Sequence, residues 1–212
     1  MILFLPTLCL LTCGLSIWFE SREQNQLALK AKLAASLAFV GFAWDLGAWE
    51  THYGKVLLIG LVLSLLGDVL LAMKGHKKWF LLGIGAFLLA HVFYTFAFAQ
   101  TGFETARLPL VAPIVLIFLT VTALWLRKHL QGIFIVAVPA YLLAIGVMLV
   151  FAWCNQSMTA YWWITSGATL FALSDLFVAR NRFVQPAISN RVIGLPIYYV
   201  AQLILAYSVK LV

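Results

Sequence analysis

Eight apolar runs, near residues 1–19, 27–43, 55–73, 79–100, 107–126, 130–152, 161–179 and 191–209, follow one another with only short polar breaks. A helix needs roughly 20 apolar residues to cross a bilayer, and at that depth each backbone polar group must find its partner inside the chain. The pattern therefore predicts an all-α polytopic membrane bundle of eight transmembrane helices, with residues 1–212 forming a single transmembrane domain. Composition agrees. At 64% hydrophobic and 10% charged residues, the chain lacks the charge to keep a water-soluble surface wet. With 16 Phe, 8 Trp and 7 Tyr, it is also too aromatic to remain unpacked. The second run has the weakest signal, because Lys30 and Lys32 fall in its first turns. The first run lacks a basic leading region and is read as a span rather than a cleaved signal peptide.

The net charge of +7 does not point to nucleic acid, since the basic residues are scattered between apolar runs instead of gathered on one soluble face. They read as topology determinants. Of 14 Lys and Arg, only Lys55, Arg107 and Lys210 fall at even-numbered connections or the C-terminus; the other 11, Lys74 among them, flank odd-numbered connections. The positive-inside rule then puts the odd connections in the cytoplasm and both termini outside. Cys9, Cys13 and Cys154 lack metal-ligand spacing and are expected to be free thiols.

Two stretches resemble each other. Leu66-Gly67-Asp68-Val69-Leu70-Leu71-Ala72 precedes Lys74, and Leu173-Ser174-Asp175-Leu176-Phe177-Val178-Ala179 precedes Arg180, with an offset of 107 residues. A duplicated four-helix unit with parallel halves would produce this; chance similarity in an apolar background is the alternative. Asp68 and Asp175 are the only acids within the spans. An intramembrane carboxylate costs roughly 2.5–3.5 kcal/mol on insertion scales, so it marks a function or a stabilising pair. Lys30 or Lys32 is a candidate partner for such a pair. Two neighbouring carboxyls cannot both ionise cheaply, so the expectation is one proton shared over a coupled pair acting as acid and base.

Phe80, Gly83, Phe87, His91, Tyr94 and Phe98 fall on one helical stripe. It places His91 and Tyr94 as candidate pocket residues facing the acids, the alternative being a packed, hydrogen-bonded histidine. Gly60, Ser64 and Asp68 form a small-residue face suited to close helix packing. Ser64 and Ser174 are candidate hydrogen-bond donors to the carboxyls. Neither sits in a Gly-x-Ser-x-Gly nucleophile motif, and the acids lack the flanking motifs of intramembrane aspartyl proteases. Tyr198, Tyr199 and Gln202 lie deep in the last run; Tyr198 follows Asp175 by 23 residues, as His91 follows Asp68. The dispersed His and Cys disfavour a metal site.

Taken together, Ser64-x-x-Gly67-Asp68 and Phe80-x-x-Gly83-x-x-x-Phe87-x-x-x-His91-x-x-Tyr94 resemble the first signature of the YhhN family of membrane proteins, which includes the lysoplasmalogenases. Tyr141-x-x-x-Ile145-x-x-Met148, Gly167-Ala168-x-x-Phe171-x-x-Ser174-Asp175 and Tyr198-Tyr199-x-Ala201-Gln202 resemble its later signatures in order. The second run departs from the family's Lys-Pro, reading Lys30-Ala31-Lys32-Leu33. The resemblance implies hydrolysis of the vinyl-ether bond of a lysophospholipid, the lysoplasmalogen, to a fatty aldehyde and a glycerophospho-base. It implies Asp68 and Asp175 as the catalytic pair and no metal or organic cofactor. Membrane lipid and the lysolipid substrate are the expected partners, nucleic acid is not, and a bacterial inner membrane is the expected location. Arg180, Arg182 and Lys74 are placed near the substrate phosphate, and Lys32 is a candidate substrate contact. The rival reading is a transporter or channel using the two acids as an ion or proton site.

Overall fold

In the computed structural model, which describes residues 3–73 and 77–212, the chain forms eight long helices. They are α1 (Phe4–Ser21), α2 (Asn25–Asp45), α3 (His52–Ala72), α4 (Lys77–Ala99), α5 (Leu108–Leu126), α6 (Phe134–Trp153), α7 (Tyr161–Ala179) and α8 (Ile188–Ser208). All eight are long and apolar enough to cross a membrane. Each apolar run became one helix, with ends shifted by a few residues. Lys74, Gly75 and His76 lie outside the described residues.

Local chemistry sets the boundaries. Thr51 caps α3, its hydroxyl oxygen accepting from the Gly54 N–H at 3.0 Å, which satisfies one of the unpaired donors of the first turn. Gly102 ends the turn after α4 at φ 84°, a left-handed conformation glycine adopts without penalty. At this same end, Glu104 N–H donates to the Cys154 carbonyl and Arg107 to the Asn155 carbonyl, tying the α4–α5 connection to the α6–α7 connection.

The helices pack as closely paired neighbours: α1 on α2, α3 on α4, and α7 on α8. Gly67 of α3 faces the Phe87 ring of α4 so closely that a Cβ would stand 2.6 Å from it; Gly60 meets Tyr94 in the same way. The small-residue face of α3 is thus a packing face. Gly167 plays the corresponding part against Leu205 of α8. Between the pairs, α2 contacts α8 and α4 contacts α6. The apolar core runs through this centre and includes Phe39, Leu61, Tyr94, Phe98, Phe171 and Tyr199. Cys9, Cys13 and Cys154 are buried free thiols.

Candidate active site

Asp68 of α3 and Asp175 of α7 line one cavity of about 690 Å³. Its walls come mainly from α3, α4, α5, α6, α7 and α8, and it reaches the end of the bundle where Lys77, Arg182 and Arg191 line it. Lys32 and Tyr141 also border it.

The two carboxylates have different surroundings. Asp68 is fully engaged: Lys32 Nζ stands 3.0 Å from Oδ1, while Ser36 Oγ and Tyr198 OH each donate to Oδ2 over 2.7 Å. Tyr199 OH lies 3.1 Å from both Ser36 Oγ and the Lys32 carbonyl, bracing the α2 residues that hold the acid. Lys32 is therefore the buried ion-pair partner, and Lys30, two residues along the helix, is exposed. The ammonium and the two hydroxyl donors leave neither oxygen of Asp68 without a partner.

Asp175 is contacted on one oxygen. Tyr141 OH donates to Oδ2 over 3.0 Å, and His91 Nε2 stands 3.3 Å from the same atom. Among the described residues nothing hydrogen-bonds Oδ1. His91 is wholly buried, stacked on Phe171 at 4.4 Å, with Tyr141 edge-on at 5.2 Å. Its Nδ1 lies 2.6 Å from the Phe87 carbonyl. A carbonyl only accepts, so Nδ1 carries the hydrogen. Nε2 approaches Asp175 without hydrogen-bond alignment and has no hydrogen-bond partner. One proton placed between Nε2 and Oδ2 would satisfy both atoms.

The sequence expectation of a proton shared between the two acids meets a different arrangement. Among the described residues no hydrogen bond joins Asp68 to Asp175; each has its own partners, a lysine for one and a histidine for the other. Tyr198 does reach an acid, as does His91. Tyr94, Ser64 and Gln202 instead form a buried cluster, with Tyr94 donating to Gln202 Oε1 at 2.7 Å and lying 3.3 Å from Ser64 Oγ. None of the three lines the cavity, because Gly60 lets Tyr94 settle deep between α3 and α4. Ser174 lines the cavity, but its hydroxyl donates to the Phe171 carbonyl at 2.7 Å rather than to a carboxylate. Arg180 is turned aside to Asn190 and Gln185. Past Ala179 the chain makes a π-helical turn over Arg180–Val184, and Arg182 is the residue that faces the cavity, its guanidinium 4.3 Å over the Phe80 ring. Ser36 is the site residue that residue-by-residue reading missed, since, unlike Ser64 and Ser174, it stands on a different helix from either acid. Tyr141 entered that reading only as part of a signature.

The YhhN family profile matches residues 27–209. The chain is 31% identical over 196 residues to Lysoplasmalogenase TMEM86B of Sus scrofa, covering 92% of this chain and 80% of that protein. It is 30% identical over 208 residues to the Homo sapiens TMEM86B lysoplasmalogenase, covering 97% and 84%. A Mycobacterium tuberculosis lysoplasmalogenase is 30% identical over 178 residues, covering 82% and 65%. No solved structure matches.

Proposed function

Since the chain belongs to the YhhN family, and its relatives include enzymes named lysoplasmalogenase, we propose that the cavity is the active site of a lysoplasmalogenase. The observation that carries this reading is that two intramembrane carboxylates with different partners line one cavity. Asp68 is paired with Lys32, and Asp175 stands against an imidazole nitrogen that lacks a hydrogen-bond partner.

A vinyl ether hydrolyses when its β-carbon is protonated, which leaves an oxocarbenium ion that water captures as a hemiacetal. The hemiacetal then falls apart to aldehyde and alcohol. In this reading Asp175 delivers the proton to carbon, and the resulting carboxylate takes one back from the attacking water. Tyr141 and His91 hold it in place through both steps, His91 Nε2 being the nearby site where the proton can rest. Asp68 provides negative charge beside the cation, as paired carboxylates do in glycosidases. The basic end of the cavity, with Lys77 and Arg182, suits the phosphate of a lysophospholipid. Tyr198 and Tyr199 serve the site by positioning Asp68 and Lys32.

The same reading places the odd-numbered connections and the phosphate end of the cavity in the cytoplasm, with both termini outside. It also treats the chain as two parallel four-helix units. The 107-residue offset relates Gly60 to Gly167 as it relates Asp68 to Asp175, and both glycines sit at close helix crossings.

The test is aldehyde release by purified protein from lyso-lipids bearing vinyl-ether, ester or alkyl-ether links. Turnover confined to the vinyl ether is expected. Turnover of the ester alone, or solute flux with no turnover of any lipid, would overturn the assignment.

A further inference from the structure

The cavity is bordered unevenly. α1 packs against both α2 and α8, and it buries Cys9, Cys13 and Ser16 in doing so. α5, the corresponding first helix of the second half, packs substantially against α6 alone among the long helices. Its outward residues Leu110, Ile114, Ile117 and Val121 are strongly exposed, as befits a helix facing lipid. Between α5 and α7 an almost wholly apolar groove is lined by Ile114, Ile117, Val121 and Trp125 on its outer part. Phe118, Thr122 and Leu176 line both this groove and the cavity. Leu176 directly follows Asp175, so the groove meets the cavity at the depth of the carboxylate.

We propose that the gap between α5 and α7 is a lateral entrance, through which the hydrocarbon chain of a single-chain lipid passes from the bilayer to Asp175. The inference rests on reading the cavity as a lysolipid site and specifies how the lipid reaches it. An apolar chain leaving the bilayer through water would expose its whole length, at a cost that grows with every CH₂. A side opening removes that cost, since the chain moves from lipid tails to Ile117, Phe118 and Leu176 without meeting water. The charges agree with the direction: Lys77 and Arg182 stand at the bundle end of the cavity, where a phosphate remains near the interface while the chain lies across the groove. A lipid with a second chain at the neighbouring glycerol carbon would have to thread both through one gap beside α5.

Val121→Trp tests this, because Val121 lines the outer part of the groove, does not border the cavity and is exposed enough to accept a larger side chain. Turnover of a long-chain vinyl-ether lysolipid in bilayers should fall by about tenfold or more, while turnover of a short-chain, water-soluble vinyl ether should stay within about twofold. If both activities fall together, or neither changes, the entrance is elsewhere. A second measurement needs no variant and no turnover: a lysophospholipid carrying a photoreactive group on its chain is irradiated with the wild-type protein. Adducts on the Phe118–Trp125 stretch and at Leu176 are expected, and adducts confined to other helices would overturn the proposal. Labelling at the groove by a protein that hydrolyses no vinyl ether would leave the entrance standing and remove the enzymatic reading.

Discussion

Tyr198 donates its hydroxyl hydrogen to Asp68 over 2.7 Å although 130 residues separate them. The reverse exchange also occurs, with His91 of the first half standing 3.3 Å from Asp175 of the second. Each acid also has a helix of its own half beside it, Lys32 and Ser36 from α2 for Asp68, Tyr141 from α6 for Asp175. The side chains that surround the two acids differ. That difference separates the two acids chemically.

Asp175→Asn should abolish aldehyde release while leaving thermal stability near that of the wild type. Asn keeps the shape and accepts from Tyr141, but it can neither deliver a proton nor take one from water. Substantial remaining turnover in this variant would sink the assignment of Asp175 as the proton carrier.

Asp68→Asn should lose activity and stability together, because it leaves the Lys32 ammonium buried without its anion. Breaking one side of a buried pair costs about 3–5 kcal/mol. Lys32→Met combined with Asp68→Leu should restore much of the thermal stability without restoring turnover. Recovery of activity along with stability would make the pair a structural brace only.

Tyr141→Phe retains the ring beside His91 and removes one donor to Asp175. A hydrogen bond to a charged group is worth about 1.5–3 kcal/mol, so kcat should drop by roughly 10- to 150-fold with little change in KM. Steady-state kinetics on one vinyl-ether substrate decides it, and an unchanged kcat would remove Tyr141 from the site.

Arg182→Ala should raise KM for a phosphate-bearing substrate several-fold, and added salt should shrink the difference. Arg180→Ala should leave KM unchanged, since that guanidinium is held by Asn190 and Gln185. The two variants, assayed side by side, distinguish a phosphate contact from general positive charge.

Cysteines introduced at Lys128 and Asn181 should be labelled from the cytoplasmic face, and one at Gln156 from the opposite face. The wild-type thiols are buried and give little background. Lys128 and Asn181 reacting from opposite sides would refute the topology.

The eight helices were legible because each apolar run has the length of a bilayer and is bounded by charge, Gly or Pro. Asp68 and Asp175 stood out for the same reason, as charges where charge is costly. The stripe through His91 and Tyr94 correctly gave their common helix face, yet a face does not fix a partner. Tyr94 is drawn to Gln202 and Ser64, one helical turn away from where His91 meets Asp175. The choice of Arg182 over Arg180 depends on the π-helical turn after α7, whose changed register leaves no mark in a pattern of apolar and charged residues. Ser36 and Tyr141 became site residues through helix packing between segments far apart in sequence, which no local spacing encodes.

The Lys32–Asp68 pair also bears on how the chain enters the bilayer. The most apolar stretch of α2 has a mean hydropathy of 1.4, against 2.6 for α6, and Lys32, two turns into the helix, adds a cost that reaches roughly 2.5–3.5 kcal/mol for a lysine at a helix centre on insertion scales. Alone, α2 is a poor candidate for lateral release into lipid during synthesis. With α3 beside it, the ammonium meets its carboxylate and the two helices can partition as one neutral hairpin. Their membrane insertion is therefore expected to be coupled, with α2 held at the insertion machinery until α3 has emerged.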